Sequence, residues 1–268
     1  MSGPMKLFAL DRGESQLIVD IPHAGTHVPV DLAARLTPAA RALPDTDWHV
    51  EKLFSFALKL GVTMLVATHS RYVVDLNRDP GGRALYPGAD NTELVPTRTF
   101  ANEPIYLPAD EPDAAGITQR RTEYFTPYHA VLAAEIERVR ARHGYAILLD
   151  AHSIRREVPR FFAGRLPDLN LGTVDGASCA PEFHHAAALA ISRSNAFSSV
   201  VNGRFKGGFI TRHYGVPDHR VHALQLEQAQ ACYMDESPPY PWDANRAAPL
   251  VGVLEALVEV LLSTSPGR

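Results

Sequence analysis

The sequence predicts an α/β fold: a mostly parallel sheet covered by helices on both faces. Two observations carry this. Short apolar runs alternate with longer segments of helical periodicity. The runs are also aliphatic or β-branched over nearly their whole length, as in strands buried on both faces rather than one.

The elements follow in order. Leu17–Ile21 reads as the first strand. Asp45–Leu60 reads as a helix, with capping oxygens at Asp45 and Thr46. Val50, Leu53, Phe54, Ala57 and Leu58 fall at helical spacing, and Gly61 closes it. Val62–Ala67 and Tyr72–Leu76 read as strands, the latter closed by the turn residues Asn77–Gly82. Residues 80–116 are rich in Pro, Gly, Asp and Thr and predict a long functional or lobe-forming loop. Ile117–His143 predicts the longest helix, and Pro127 inside it implies a kink or a division in two. Tyr145–Asp150 is the next strand, and Arg160–Ala163 and Leu169–Gly172 read as short strands. Pro181–Ser194 is an alanine-rich helix, Val200–Phe209 a strand and turn, Val221–Leu226 a strand, and Ala244–Leu262 the closing helix.

With 268 residues, 46% of them hydrophobic, the chain can bury a full core. The expected organisation is one domain over 1–268, with 80–116 as a loop or lobe insertion. A net charge of −4 without a basic tract gives no footprint for nucleic acid. No apolar stretch reaches the roughly 18 residues that span a bilayer. Met1–Arg12 lacks the apolar core of a signal peptide. A soluble, cytoplasmic protein with no membrane partner is expected. Cys179 and Cys232 form neither a metal-type pair nor a disulfide scaffold, in keeping with reduced thiols.

Two histidines carry the chemistry. His23 follows the run Leu17–Ile21, and His152 follows Tyr145–Asp150. Open α/β sheets bind ligands beyond the carboxyl ends of their strands. Two imidazoles delivered there from distant positions predict a metal site built by the fold. A catalytic zinc site takes three His, Asp or Glu ligands and keeps one position open. Asp150 lies two residues before His152, on the same strand face, where it can orient the imidazole. The third ligand is sought among Asp45, Asp47 and Glu51. Asp47 and Glu51, four apart, share a face of the predicted helix, although a helix start also favours acids through its dipole.

Arg71 and Arg78 flank the run Tyr72–Leu76, and Asn77-Arg78 can present an amide and a guanidinium to a carboxylate. The plainer reading is a surface ion pair, Arg71–Asp75 or Arg78–Asp79. Glu227, after Leu224–Leu226, is placed to act as a general base beside a metal water. Arg204, Lys206, Arg212 and His213 lie in a glycine-containing segment suited to closing over an anion. Nucleophile elbow, Walker loop and dinucleotide fingerprint are all absent from the sequence.

Pro22–Pro29, Thr46–Val50, Ser70–Arg78 and Asp150–Ser153 together resemble the N-formylglutamate amidohydrolase family. So do Gly164–Thr173, Asn202–Gly208, Thr211–Gly215, Gln225–Glu227 and Tyr233–Glu236. The resemblance covers most of the chain. It implies a mixed central sheet between helices, akin to zinc carboxypeptidases and aspartoacylases. The implied reaction is hydrolysis of N-formyl-L-glutamate to formate and L-glutamate, in histidine degradation. It also implies one Zn2+ per chain, a role other divalent ions could fill, and a small acidic N-formyl amino acid as substrate. His23 and His152 would be zinc ligands. The relatives carry an acidic ligand three residues after the first histidine, where this chain has Thr26. That departure points to Asp47 as third ligand, with Glu51 and Asp45 in reserve. Asn77-Arg78 would hold a substrate carboxylate, and Glu227 would be the base. Arg71 is the first choice to stabilise the oxyanion, and Arg204, Lys206, Arg212 and His213 are candidates for the second carboxylate. Two other readings fit such a chain: a deacylase of another N-acyl amino acid, or a non-catalytic binder of acidic amino acids. Nothing in the sequence sets the oligomeric state.

Overall fold

A computed structural model describes residues 5–85, 88 and 90–267. Seven strands form one sheet: β1 (Phe8–Asp11), β2 (Leu17–Ile21), β3 (Thr63–Ala67), β4 (Ala146–Ile154), β5 (Leu169–Gly172), β6 (Ser199–Val201) and β7 (Val221–Ala229). Their spatial order is β1-β3-β2-β4-β7-β5-β6. The central neighbours β3, β2, β4 and β7 are parallel. β1 runs antiparallel to β3, and β5 antiparallel to β7. The sheet is therefore mixed and mostly parallel.

The helices are α1 (Val30–Ala34), α2 (Pro38–Arg41), α3 (Val50–Leu53), α4 (Ala114–Arg120), α5 (Thr126–His143), α6 (Pro181–Ser192), α7 (Phe209–Tyr214) and α8 (Ala244–Ser263). Side chains alternate across the sheet. Leu17, Val19, Ile21, Ile147, Leu149, Leu224 and Leu226 join one core, with Phe183, Ala187 and Ile191 of α6 and Leu250, Leu254 and Leu257 of α8. Ile18, Leu148 and Ala223 face the other core, with Tyr128, Leu132 and Val139 of α5 and Ile210 of α7. Each buried Val, Leu or Ile side chain among them contributes about 1.5–3 kcal/mol. Among the described residues no helix is long and apolar enough to cross a membrane.

Several expectations are corrected. The predicted helix Asp45–Leu60 is broken. His49 sits in the left-handed region (φ 63°), so helix begins only at Val50 and gives way to a 3-10 turn over Ser55–Leu60. Tyr72–Leu76 is a turn, not a strand. Its backbone is satisfied locally and by a neighbouring loop, through Val73 N–H to Ser70 (2.8 Å) and Asp75 N–H to Leu94 (2.7 Å). Arg160–Ala163 is likewise a turn, closed by Phe161 N–H to Val158 (2.9 Å). β4 and β7 run past their predicted ends, so His152 and Glu227 stand within strands. The edge strand β1 and the short α1 and α2 were not expected; in β1 two half-buried residues alternate with two exposed ones, too short a run to stand out. Pro127 lies in the first turn of α5, and the π-helical turn Arg121–Phe125 joins α4 to α5 there.

Candidate metal centre and its cavity

The sheet face toward α5 changes character along its length. Ile18, Leu148 and Ala223 are apolar. One step further come Asp20, Asp150 and Gln225, paired in register. The next step brings His152 opposite Glu227. On this face the central strands β2, β4 and β7 thus turn polar toward their carboxyl ends, with Tyr128 of α5 donating to Asp20 where the change begins.

His23 lies two residues beyond β2, in a loop packed tightly on a neighbouring segment: a Cβ on Gly25 would fall 2.3 Å from the His69 carbonyl oxygen. Asp47 is tied to the same loop by its N–H, which donates to the His23 carbonyl (3.1 Å). His23, Asp47 and His152 are all buried, and one ligand atom from each lies within 4.8 Å of the others. It is the one such group of three or more among the described residues. Asp47 Oδ2 is 3.1 Å from His152 Nδ1 and 3.8 Å from His23 Nδ1. The opposite nitrogens are backed by carboxylates: His23 Nε2 is 2.8 Å from Asp75 and His152 Nε2 is 2.6 Å from Asp150. Both imidazoles therefore turn Nδ1 toward Asp47, the arrangement of metal-ligating histidines. Asp47 Oδ1 is buried with no hydrogen-bond partner. That orphaned oxygen and two converging nitrogens fit a divalent cation of the zinc type.

The electrostatics agree. Burial lowers the His23 pKa, and Arg71 adds to it. Burial also opposes charge on His152, but Asp150 and then Asp47 hold its pKa well above the ordinary value. In Asp47 the cost of burial is outweighed by the two histidines, which lower its pKa. The carboxylates of Asp47 and Asp150 thus favour positive charge at this cluster, which a bound cation would supply.

Glu227, 7% exposed, lines the same cavity. Burial pushes its pKa up to about 8, with His152 opposing and Asp47 adding to the shift. Arg71, Arg78 and Arg204 bring three guanidinium groups to the lining of this cavity. Arg71 Nη2 bonds Asp75 (2.7 Å), and Nη1 is 3.6 Å from Asp47 Oδ1. Phe100 lies under its guanidinium at 4.7 Å.

The comparisons decide the family. A family profile described as N-formylglutamate amidohydrolase matches residues 15–234. The chain is 45% identical to the N-formylglutamate deformylase of Pseudomonas aeruginosa, over 96% of this chain and 97% of that one. It is 42% identical to the N-formylglutamate deformylase of Pseudomonas putida, over 98% of each. The crystal structure of N-formylglutamate amidohydrolase from Ralstonia eutropha JMP134 superposes with a TM-score of 0.79 at 26% identity, covering 97% of both chains. The chain belongs to the N-formylglutamate amidohydrolase family. It is thus a hydrolytic enzyme acting on a small molecule.

Six of the nine segments that resemble the family reach this cavity, Asn202–Gly208 among them through Arg204. Pro22–Pro29 supplies His23, Thr46–Val50 Asp47, Ser70–Arg78 the arginines and Asp75, Asp150–Ser153 His152, and Gln225–Glu227 the carboxylate. The reserve ligands lie elsewhere. Asp45 is buried, but its Oδ2 accepts from Tyr72 O–H (2.6 Å) and Phe100 N–H (2.9 Å). Glu51 is exposed on α3. The amide of Asn77 is engaged rather than offered to a ligand: Nδ2 is 2.9 Å from His152 Nε2 and donates to Asp150 (3.2 Å), while Oδ1 accepts from Ile210 N–H (2.7 Å). Gly208 packs on that amide so closely that a Cβ would meet it at 2.3 Å. Lys206 pairs with Asp175 on the surface (3.0 Å). Arg212 and His213 line a separate groove with Asp79 and Arg83. Of the four cationic candidates for the second carboxylate, Arg204 alone lines the cavity. The expected surface pair Arg71–Asp75 exists, but buried. Sequence reasoning missed Asp75 as a partner of His23; its only local signal is its place between Arg71 and Arg78.

Proposed function

We propose that this chain hydrolyses N-formyl-L-glutamate to formate and L-glutamate, using a divalent metal, zinc by preference, held by His23, Asp47 and His152. The observation that carries this reading is the convergence of those three side chains beside the buried Glu227. A cation bound there supplies Lewis-acid polarisation, lowers the pKa of a coordinated water, and favours the ionised form of Glu227. Glu227 takes a proton as water oxygen adds to the formyl carbon. Arg71 faces the developing oxyanion, in a buried setting where its charge counts most. The C–N bond then breaks, and Glu227 delivers its proton to the departing nitrogen, giving the free amine and formate. Arg78 and Arg204 receive the two substrate carboxylates, a task suited to paired guanidinium donors.

The test is a formate-release assay with metal analysis on the same sample. One zinc per chain and preference for N-formyl-L-glutamate over N-formyl-L-glutamine and N-acetyl-L-glutamate are expected. Faster release of acetate than of formate would point instead to a deacylase of other N-acyl amino acids.

A further inference from the structure

Asp75 is wholly buried, and its two carboxylate oxygens serve different regions. Oδ1 lies 2.8 Å from His23 Nε2 and accepts the Asn77 backbone N–H at 2.9 Å. Oδ2 accepts from Arg71 Nη2 at 2.7 Å and is 4.0 Å from Arg78 Nη2. One rigid group therefore holds a candidate metal ligand on one side and two cavity-lining guanidiniums on the other. We propose that Asp75 is a positioning residue that couples metal binding to the placement of Arg71 and Arg78, the guanidiniums that face the substrate. This rests on the metal-dependent reading of the site given above.

The physical argument has two parts. An acceptor on Nε2 selects the His23 tautomer whose Nδ1 lone pair faces Asp47 and His152, and a charged acceptor makes that nitrogen a better donor to a cation. The second oxygen fixes the fork of Arg71 and contributes opposite charge near Arg78. Because both oxygens belong to one planar group, neither side can shift without the other. Asparagine is not an equivalent. Keeping an oxygen toward His23 would turn its NH2 toward Arg71, donor against donor.

Zinc titration of the chelator-stripped full chain tests the metal side without reference to turnover. KM for N-formyl-L-glutamate at saturating zinc tests the other. Asp75→Asn is expected to weaken zinc binding about 10-fold and raise KM about 10-fold. Asp75→Ala should weaken zinc binding toward 100-fold. A merely structural role would lower the folded fraction and the apparent kcat, leaving zinc affinity and KM of the folded fraction alone. Zinc affinity within twofold of wild type in the asparagine variant overturns the proposal, and so does weaker zinc binding with an unchanged KM. A wild-type chain that takes up no zinc overturns the metal reading as well, and is distinguishable because the unaltered protein itself fails.

Discussion

The two walls of the cavity are built by different means. One is the carboxyl edge of the sheet, where His152 and Glu227 face each other on β4 and β7, strands buried along their whole length. The other is made of loops and carries the arginines. Arg78 Nε donates to Thr92 Oγ1 (2.8 Å) and Arg204 Nε to the Phe161 carbonyl (2.7 Å). Arg160 links these loops through Asp90 (2.8 Å) and the Thr99 carbonyl (2.8 Å). The sheet wall carries His152 and Glu227, and loops add His23 and Asp47 beside them and the arginines opposite. On the proposed function, damage to the cluster of His23, Asp47, His152 and Glu227 should remove metal or turnover, and damage to Arg78 or Arg204 should move KM.

The largest effect is expected from Asp47→Ala. Zinc content should fall to near background, since a pair of histidines is a weak site, and turnover should drop by about 10³-fold or more. Metal analysis beside a formate assay would show it. A variant that retains full zinc would move the ligand role away from Asp47. Glu227→Gln comes next, with kcat down about 10²–10⁴-fold and zinc stoichiometry intact. Survival of near-normal turnover would remove Glu227 as the base.

The same residue predicts a pH effect. Its folded pKa of about 8 exceeds the ordinary 4.5. The stability it contributes is therefore complete below the ordinary value and lost as pH rises toward 8. Metal-free Glu227→Gln should lack this decline and melt about 5 °C above metal-free wild type at pH 8. Equal melting temperatures would contradict the buried-acid account.

On the loop wall, Arg204→Ala should raise KM about 10-fold with zinc binding unchanged, the loss of one charge-assisted hydrogen bond. An unchanged KM would return Arg204 to a purely structural tie on Phe161. The smallest effect is expected from Lys206→Ala, less than twofold in kcat/KM, because its partner Asp175 lies on the surface. A large rise in KM there would redraw the cavity.

The same division explains what could be read in the sequence. His23, His152 and Glu227 were legible because each ends an apolar run, and a buried strand announces its direction by where its polar residues begin. The mixed character of the sheet was not written in those runs; it comes from β1 and β5, short strands whose pairing depends on partners far along the chain. Asp47 was legible only as one of three acids. What sets it apart from Asp45 and Glu51 is tertiary: Tyr72 and Phe100 engage Asp45, and the left-handed residue His49 starts a new helix on which Glu51 is exposed. Asp75 and Arg204 were harder still. Their places at the cavity are set by irregular-segment contacts, Arg71–Asp75 within one turn and Arg204–Phe161 between loops, which leave no periodic trace. The predicted strand over Tyr72–Leu76 failed for the same reason: its apolar residues pack a buried turn, and burial alone does not distinguish turn from strand.

The central claim is that His23, Asp47 and His152 share one cation. An anomalous-difference map from a zinc-soaked crystal, collected at the zinc edge, tests it directly. The account predicts a single strong peak about 2.0–2.2 Å from both Nδ1 atoms and an Asp47 oxygen. An empty cluster at saturating zinc, or a peak held by other side chains, would contradict it.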